Sequence, residues 1–186
     1  MDAMQEENKK KYNIVTGVPR SGTSLMMRIL KMSGETILYD ECKRPDKFNS
    51  YSYMEHSNMF KPNTYKNWIK ENPNVWIKII NYYVQFIPVD LNYRFIYMYR
   101  NISESSASLQ KYNGNRQTLN SIIKMNTKKH SFAIKFLDQL KCEYAVINYN
   151  KLMRAPIPEL QKVQKLLNLS LNYGQICDIL DYGNVS

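Results

Sequence analysis

Four short stretches of the chain are almost uninterrupted in apolar, aromatic and β-branched residues: Tyr12 to Thr16, Val75 to Ile79, Arg94 to Tyr99 and Glu143 to Asn148. Near-continuous runs of this length suit strands of a parallel sheet that is covered on both faces. A different period separates them. Ser24 to Met32 sets Leu25, Met26, Ile29 and Leu30 on one side of a helix, and Pro158 to Leu167 repeats Leu160, Val163, Leu166 and Leu167 at helical spacing. Thr64 to Lys70, Ser103 to Lys111 and Gln117 to Leu140 are further helical segments. Strands that alternate with helices predict an α/β fold, a single three-layer domain with a central parallel sheet and right-handed crossovers. Residues 40–62 follow neither period and break at Arg44-Pro45-Asp46; a loop of that length is more often functional or mobile than inert. No repeat or linker interrupts the pattern, so the expected division is a polar tail over residues 1–11 and one domain over residues 12–186.

Bulk properties narrow the class. At 186 residues the chain suits one domain, and no run approaches the roughly 20 apolar residues of a membrane span. The first eleven residues lack the apolar core of a signal peptide and carry acidic residues, unlike a transit peptide. Cys42, Cys142 and Cys177 fit neither a disulfide framework nor metal-ligand spacing, so the expectation is a soluble, cytoplasmic or otherwise intracellular protein without a metal. The formal net charge of +10 favours anionic partners. Nucleic acid and then nucleotides are the first candidates; zinc-finger spacing, an RNP signature and an Arg-rich tract are all missing, and charge alone does not choose between them.

The chemistry concentrates in Gly17-Val18-Pro19-Arg20-Ser21-Gly22-Thr23-Ser24, between the first strand and the first helix. Two glycines enclose four residues as in a phosphate-binding P-loop, but Thr23 stands where a nucleotide triphosphatase carries its lysine. A glycine-bounded loop that runs into a helix aims backbone N–H groups and the positive end of the helix dipole at an anion, so phosphate binding survives the change. The cation sits instead at Arg20, whose guanidinium can grip two oxygens of one anion. Ser21, Thr23 and Ser24 add hydroxyl donors. Arg100 ends a predicted strand and Ser108 lies two helical turns further on, an arrangement that can converge on a second anion. Ser105 and Ser106 are neighbouring alternatives, and Ser103 with Glu104 also reads as an ordinary helix start.

Gly-Val-Pro-Arg-Ser-Gly-Thr-Ser-Leu-Met resembles the 5′-phosphosulfate loop of the sulfotransferase family, especially its tyrosylprotein and bacterial-type branches. The Arg100 and Ser108 pair is similar to that family's 3′-phosphate motif, Val75-Trp76-Ile77-Lys78 to the strand that ends in a lysine near the transferred group, and Asn148 to Pro156 to its Tyr-Glu-Asp-Leu segment. The resemblance implies a P-loop NTPase-like fold and sulfuryl transfer from 3′-phosphoadenosine 5′-phosphosulfate to a hydroxyl acceptor, such as a peptide tyrosine, a glycan or a small molecule; the basic charge adds the expectation of an anionic acceptor, an acidic peptide or a glycan. It also implies that Pro19, Arg20, Ser21, Gly22, Thr23, Ser24, Arg100 and Ser108 bind the donor, with Arg20, Lys78 and a general base as catalytic groups. In the tyrosylprotein branch that base is a Glu set 21 residues beyond the loop arginine, which here is Glu41. Glu35, Asp40 and His56 are the alternatives, and His130, in a Lys-rich helical stretch, reads as structural. The chain departs from the family in its C-terminus, which lacks a basic Gly-rich segment, and in having no Trp after the loop for adenine. Two other readings stay open: a non-catalytic binding module for nucleotides or nucleic acid, and a P-loop small-molecule kinase, which the missing lysine disfavours.

Overall fold

The computed structural model describes residues 10–40, 44–47, 49 and 51–182. Five parallel strands form its one sheet: β1 (Tyr12–Gly17), β2 (Ile37–Leu38), β3 (Trp76–Lys78), β4 (Tyr93–Tyr99) and β5 (Glu143–Asn148), in the order β2-β3-β1-β4-β5. Helix α1 (Thr23–Met32) follows β1, α2 (Tyr65–Lys70) precedes β3, and α3 (Ile102–Tyr112) and α4 (Leu119–Leu140) join β4 to β5. The chain then forms α5 (Tyr149–Arg154), α6 (Pro156–Leu167) and α7 (Tyr173–Tyr182). The α/β expectation is met, with the sheet sandwiched between two helical layers.

Alternation along the strands explains the two cores. Val15, Trp76, Ile96 and Met98 pack on one face with α1, α6 and α7, whereas Ile14, Ile77, Phe95 and Tyr97 pack on the other with α2 and α4. All eight are essentially fully buried, and at about 1.5–3 kcal/mol for each large apolar side chain they hold the sheet in register. Tyr12 pairs with Tyr93 and Gly17 with Met98, so β1 and β4 end together.

Several boundaries follow from local chemistry. Helix α1 stops at Ser33, whose hydroxyl bonds Ile29 O at 2.8 Å, and Gly34 follows with φ +87°, a value that favours glycine. Helix α3 begins two residues after Arg100 because the Asn101 side chain accepts from the N–H groups of Ser103 (2.9 Å) and Glu104 (3.3 Å); Asn101, not Ser103, is the cap. Helix α6 starts at Pro156, two residues before the periodic pattern, since proline suits the first helical position. Three elements are not read from the hydrophobic pattern: β2 is two residues long, α5 is six, and α7 starts after Asn172, whose side chain accepts from Gln175 N at 3.2 Å.

The strand order reverses direction across β1 and β4. Helix α1 carries the chain from β1 towards β2, while α3 and α4 carry it from β4 towards β5. A crevice opens at the carboxyl ends of two strands whose connections diverge in this way, and ligands of open α/β sheets bind there. The loop after Gly17 and the segment after Tyr99 form its walls.

Candidate functional site

The loop is shaped by two close approaches. A Cβ on Gly17 would lie 2.4 Å from Ser21 Oγ and 2.5 Å from Met98 O, and one on Gly22 would lie 2.4 Å from the Tyr149 ring. Neither position has room for a side chain. Gly22 also adopts φ +95° as the N-cap of α1, with no side chain capping the helix, so the first-turn amides of α1 face outward without intrahelical acceptors. Arg20 sits in the same loop at φ +69°, a left-handed conformation uncommon for a residue with a side chain and a form of strain that clusters at ligand sites.

Around this loop the structure gathers most of the residues singled out in the sequence. Arg20 Nε donates to Ser108 Oγ at 3.2 Å, and Arg100 donates to the Arg20 carbonyl at 3.3 Å. Arg100 also lies 4.6 Å from the centre of the Tyr149 ring and pairs with Glu104 at 3.4 Å. Glu104 accepts a second hydrogen bond from Asn150, and that bond, with Arg100 beside it, holds its carboxyl below the usual carboxylate range. Ser105 and Ser106 are fully buried and engaged elsewhere: Ser105 Oγ donates to Ile102 O and Ser106 Oγ accepts from Asn126. Of the three serines, Ser108 is the one that meets the loop.

Lys78 ends β3 opposite Val15 of β1, and it is only 3% exposed. Its ammonium donates to Glu55 Oε1 at 2.8 Å, to Tyr53 O at 2.7 Å and to Ser24 Oγ at 2.9 Å, which ties the strand end to the first turn of α1. Glu55 is likewise 3% exposed. Tyr53 donates to both carboxylate oxygens of Asp46, and burial together with that contact pushes its phenol above the usual range.

Most of these groups line one cavity of about 560 Å³, within the range of nucleotide and small-molecule sites; Ser108 is not in the wall and meets it through its contact with Arg20. Pro19, Arg20, Gly22, Thr23, Ser24, Lys78 and Arg100 contribute to its wall. Ser21 does not: it is fully buried under the loop beside Gly17, and its hydroxyl has no hydrogen-bond partner among the described residues. Glu41 lies outside the described residues. The three alternative bases have other roles and are absent from the cavity wall. Glu35 accepts from the Trp76 indole at 2.8 Å, Asp40 accepts from Ser57 N at 2.9 Å, and His56 caps a short 3₁₀ turn through Asn58 N while packing on Trp68. His130 is structural, with Tyr97 OH 2.8 Å from its Nδ1 and the rings of Tyr97 and Tyr99 against it. Among the described residues no group of three or more His, Cys, Asp or Glu could hold a metal ion.

Sequence reasoning missed Glu55, Arg28, Tyr112 and Tyr149 as parts of this wall. Glu55 and Arg28 carry no local signal, since one sits in an irregular stretch and the other looks like any polar position of α1. Tyr149 had one, its place in the segment that follows β5.

A parallel sheet in this order, with an arginine-bearing glycine loop at the β1 end and a second arginine at the β4 end, defines a P-loop-like α/β domain. The chain belongs to the sulfotransferase domain family, whose model matches residues 10–184. Among solved structures it is similar to mouse sulfotransferase SULT7A1 complexed with PAP, at 15% identity and a TM-score of 0.57, over 92% of this chain and 63% of that one. It is also similar to the sulfotransferase domain from the curacin biosynthetic pathway, at 14% identity and a TM-score of 0.52, over 87% of this chain and 75% of that one. The chain therefore spans less than two thirds of SULT7A1, and at these identities the likeness is one of fold. No curated protein sequence matches it.

Proposed function

We propose that the protein transfers a sulfuryl group from 3′-phosphoadenosine 5′-phosphosulfate to a hydroxyl acceptor. The observation that carries this reading is the meeting of Arg20, Ser108 and Arg100 over the glycine loop. The cation that stands in for the P-loop lysine touches the strand-end motif expected to hold a second phosphate, so one cavity offers two anion positions a short distance apart. That suits a nucleotide with phosphates at both ends of its ribose. The cradle suits such a donor in a further respect: the glycines let the loop pack closely on β4 and Tyr149, and no side chain caps the start of α1, which leaves its first amides for an anion.

The bound donor supplies the sulfuryl group, which passes to the acceptor oxygen as its bond to the 5′-phosphate breaks. The chain's own residues position, neutralise and deprotonate. Arg20 and the loop amides hold the 5′-phosphate, and Lys78, fixed by Ser24 and Glu55, faces the charge that grows on the bridging oxygen. The acceptor's proton goes to a carboxylate. Glu41 is the base that the family spacing suggests, and Glu55, the described carboxylate beside Lys78, is the second.

Calorimetry with adenosine 3′,5′-bisphosphate tests the reading. Wild-type protein is expected to bind it without added metal, and Arg20→Ala or Arg100→Ala to weaken binding by about 10-fold or more, as suits the loss of a charge-assisted contact. No binding of the bisphosphate by the wild type, alongside tight binding of DNA or RNA, would favour the non-catalytic module. Glu41→Gln and Glu55→Gln, each compared for binding and transfer, then separate the base from its neighbour.

A further inference from the structure

Helix α1 carries more than the loop. Ser24 and Arg28 are four residues apart, so they share a face of the helix, and both line the cavity. Their backbones are separated by about 6 Å along the helix axis, which sets Arg28 one turn beyond the hydroxyl that contacts Lys78. Arg28 is half-buried, and its guanidinium carbon lies 4.1 Å from the centre of the Tyr51 ring. Its Nε is buried, and among the described residues it has no hydrogen-bond partner and the guanidinium forms no ion pair with a carboxylate. Burial pulls its pKa down, with Tyr51 opposing, yet an arginine stays charged in any case.

A half-buried guanidinium without a counter-ion is costly to keep unless something supplies the anion. The carboxylate of the same wall, Glu55, is paired with Lys78. Lys47 and Asn49, which precede Tyr51 on the irregular segment, add a second cation and an amide to the same wall. At the other end Arg20 and Arg100 already give one arginine to each phosphate of the proposed donor, which leaves Arg28 for the other reactant.

We propose that Arg28, stacked on Tyr51 in a wall it shares with Lys47, is an acceptor-anion subsite that selects hydroxyl acceptors bearing a carboxylate, sulfate or phosphate roughly one helical turn from the reacting hydroxyl. The inference rests on the sulfuryl-transfer reading for the donor and names the chemical class of its acceptor. A planar guanidinium held on an aromatic ring keeps its edge free for two parallel hydrogen bonds to an oxyanion.

The test uses a matched pair of phenols, 4-hydroxyphenylacetate and its methyl ester, titrated into protein saturated with adenosine 3′,5′-bisphosphate. Wild type is expected to bind the acid about 10-fold more tightly than the ester, and Arg28→Gln to remove the difference while the bisphosphate Kd stays within about twofold. Arg28→Met, which keeps the packing of the stem, replaces Arg28→Gln if that variant folds poorly. Lys47→Gln is expected to reduce the preference by less than Arg28→Gln does. Equal binding of acid and ester by the wild type, or undetectable binding of both, overturns the proposal. So does an Arg28→Gln variant that weakens the bisphosphate as much as the acid, since Arg28 would then serve the nucleotide. Failure of the wild type to bind the bisphosphate counts against the donor reading alone, because the acid and ester can be compared on nucleotide-free protein.

Discussion

At Lys78 a buried ammonium is held by three acceptors that reach it from two segments: Glu55 and the Tyr53 carbonyl from one, and Ser24 from the start of α1. Both ends of the ion pair are nearly sealed from water, with side-chain exposures of 3% and 4%. A pair of this kind contributes little net stability compared with a well-packed apolar pair, but removing one partner strands the other charge in a low-dielectric site. Lys78→Met should therefore lower unfolding stability by about 3–5 kcal/mol in urea, and Lys78→Met with Glu55→Gln should restore a good part of that loss. Equal destabilisation by the single and double changes would mean that Glu55 finds adequate solvation without Lys78. The left-handed Arg20 is the other residue-scale constraint, because its backbone conformation lets the Ser108 contact and the Arg100 contact form from the same residue.

Helix α4 fixes the second core through residues that alternate between apolar contact and polar accommodation. Ile122, Ala133 and Leu137 are buried, while Asn126 bonds Ser106 of α3 at 3.0 Å and His130 meets Tyr97 of β4. Burial disfavours the charged imidazole and lowers the His130 pKa below its ordinary value near 6.5. The folded state thus binds this proton less readily than the unfolded one. The stability linked to His130 is fully present above about pH 6.5 and is lost as pH falls from there through the folded pKa. The urea midpoint is expected to fall between pH 7 and pH 5, and His130→Phe to flatten that slope; an unchanged slope would assign it to other groups. The carboxylates Glu104 and Glu143, both lowered by hydrogen-bonded partners, have the same sign but act in a more acidic window, below the ordinary carboxylate range.

Across the whole molecule, 26 basic residues oppose 16 acidic ones, and no long basic tract gathers them. A net charge of +10 surrounds a cavity that exposes Arg20, Arg28, Lys47 and Arg100 in its wall. Long-range attraction of this kind acts mainly on association and is screened by salt. Raising ionic strength from about 0.1 M to about 1 M shortens the screening length from about 10 Å to about 3 Å. Stopped-flow binding of adenosine 3′,5′-bisphosphate should show the association rate falling several-fold over that range while dissociation changes less. A salt-insensitive association rate would show that the excess charge serves something other than the cavity.

The sequence by itself determined the strands β1, β3, β4 and β5, the helices α1 to α4 and α6, and the loop from Gly17 to Ser24. Their signals are local, since a buried run, a helical period or a glycine-bounded turn is written in neighbouring residues. The pairing of Arg100 with Ser108 as one anion motif was also legible, because a strand end and the helix after it are written in neighbouring residues, whereas the contact of Arg20 with Ser108, 88 residues apart, was not. Tertiary structure alone decided the rest. The strand β2 and the helix α5 are too short to carry a period; β2 exists because it pairs with β3, and α5 starts where the Asn148 side chain at the end of β5 accepts from Lys151 N. Glu55, on the irregular stretch, joins Lys78 across 23 residues that include α2, and Arg28 acquires Tyr51 from that same stretch. No spacing rule reaches through such a segment; which of its side chains enter the cavity is settled only when the sheet and α1 are already packed.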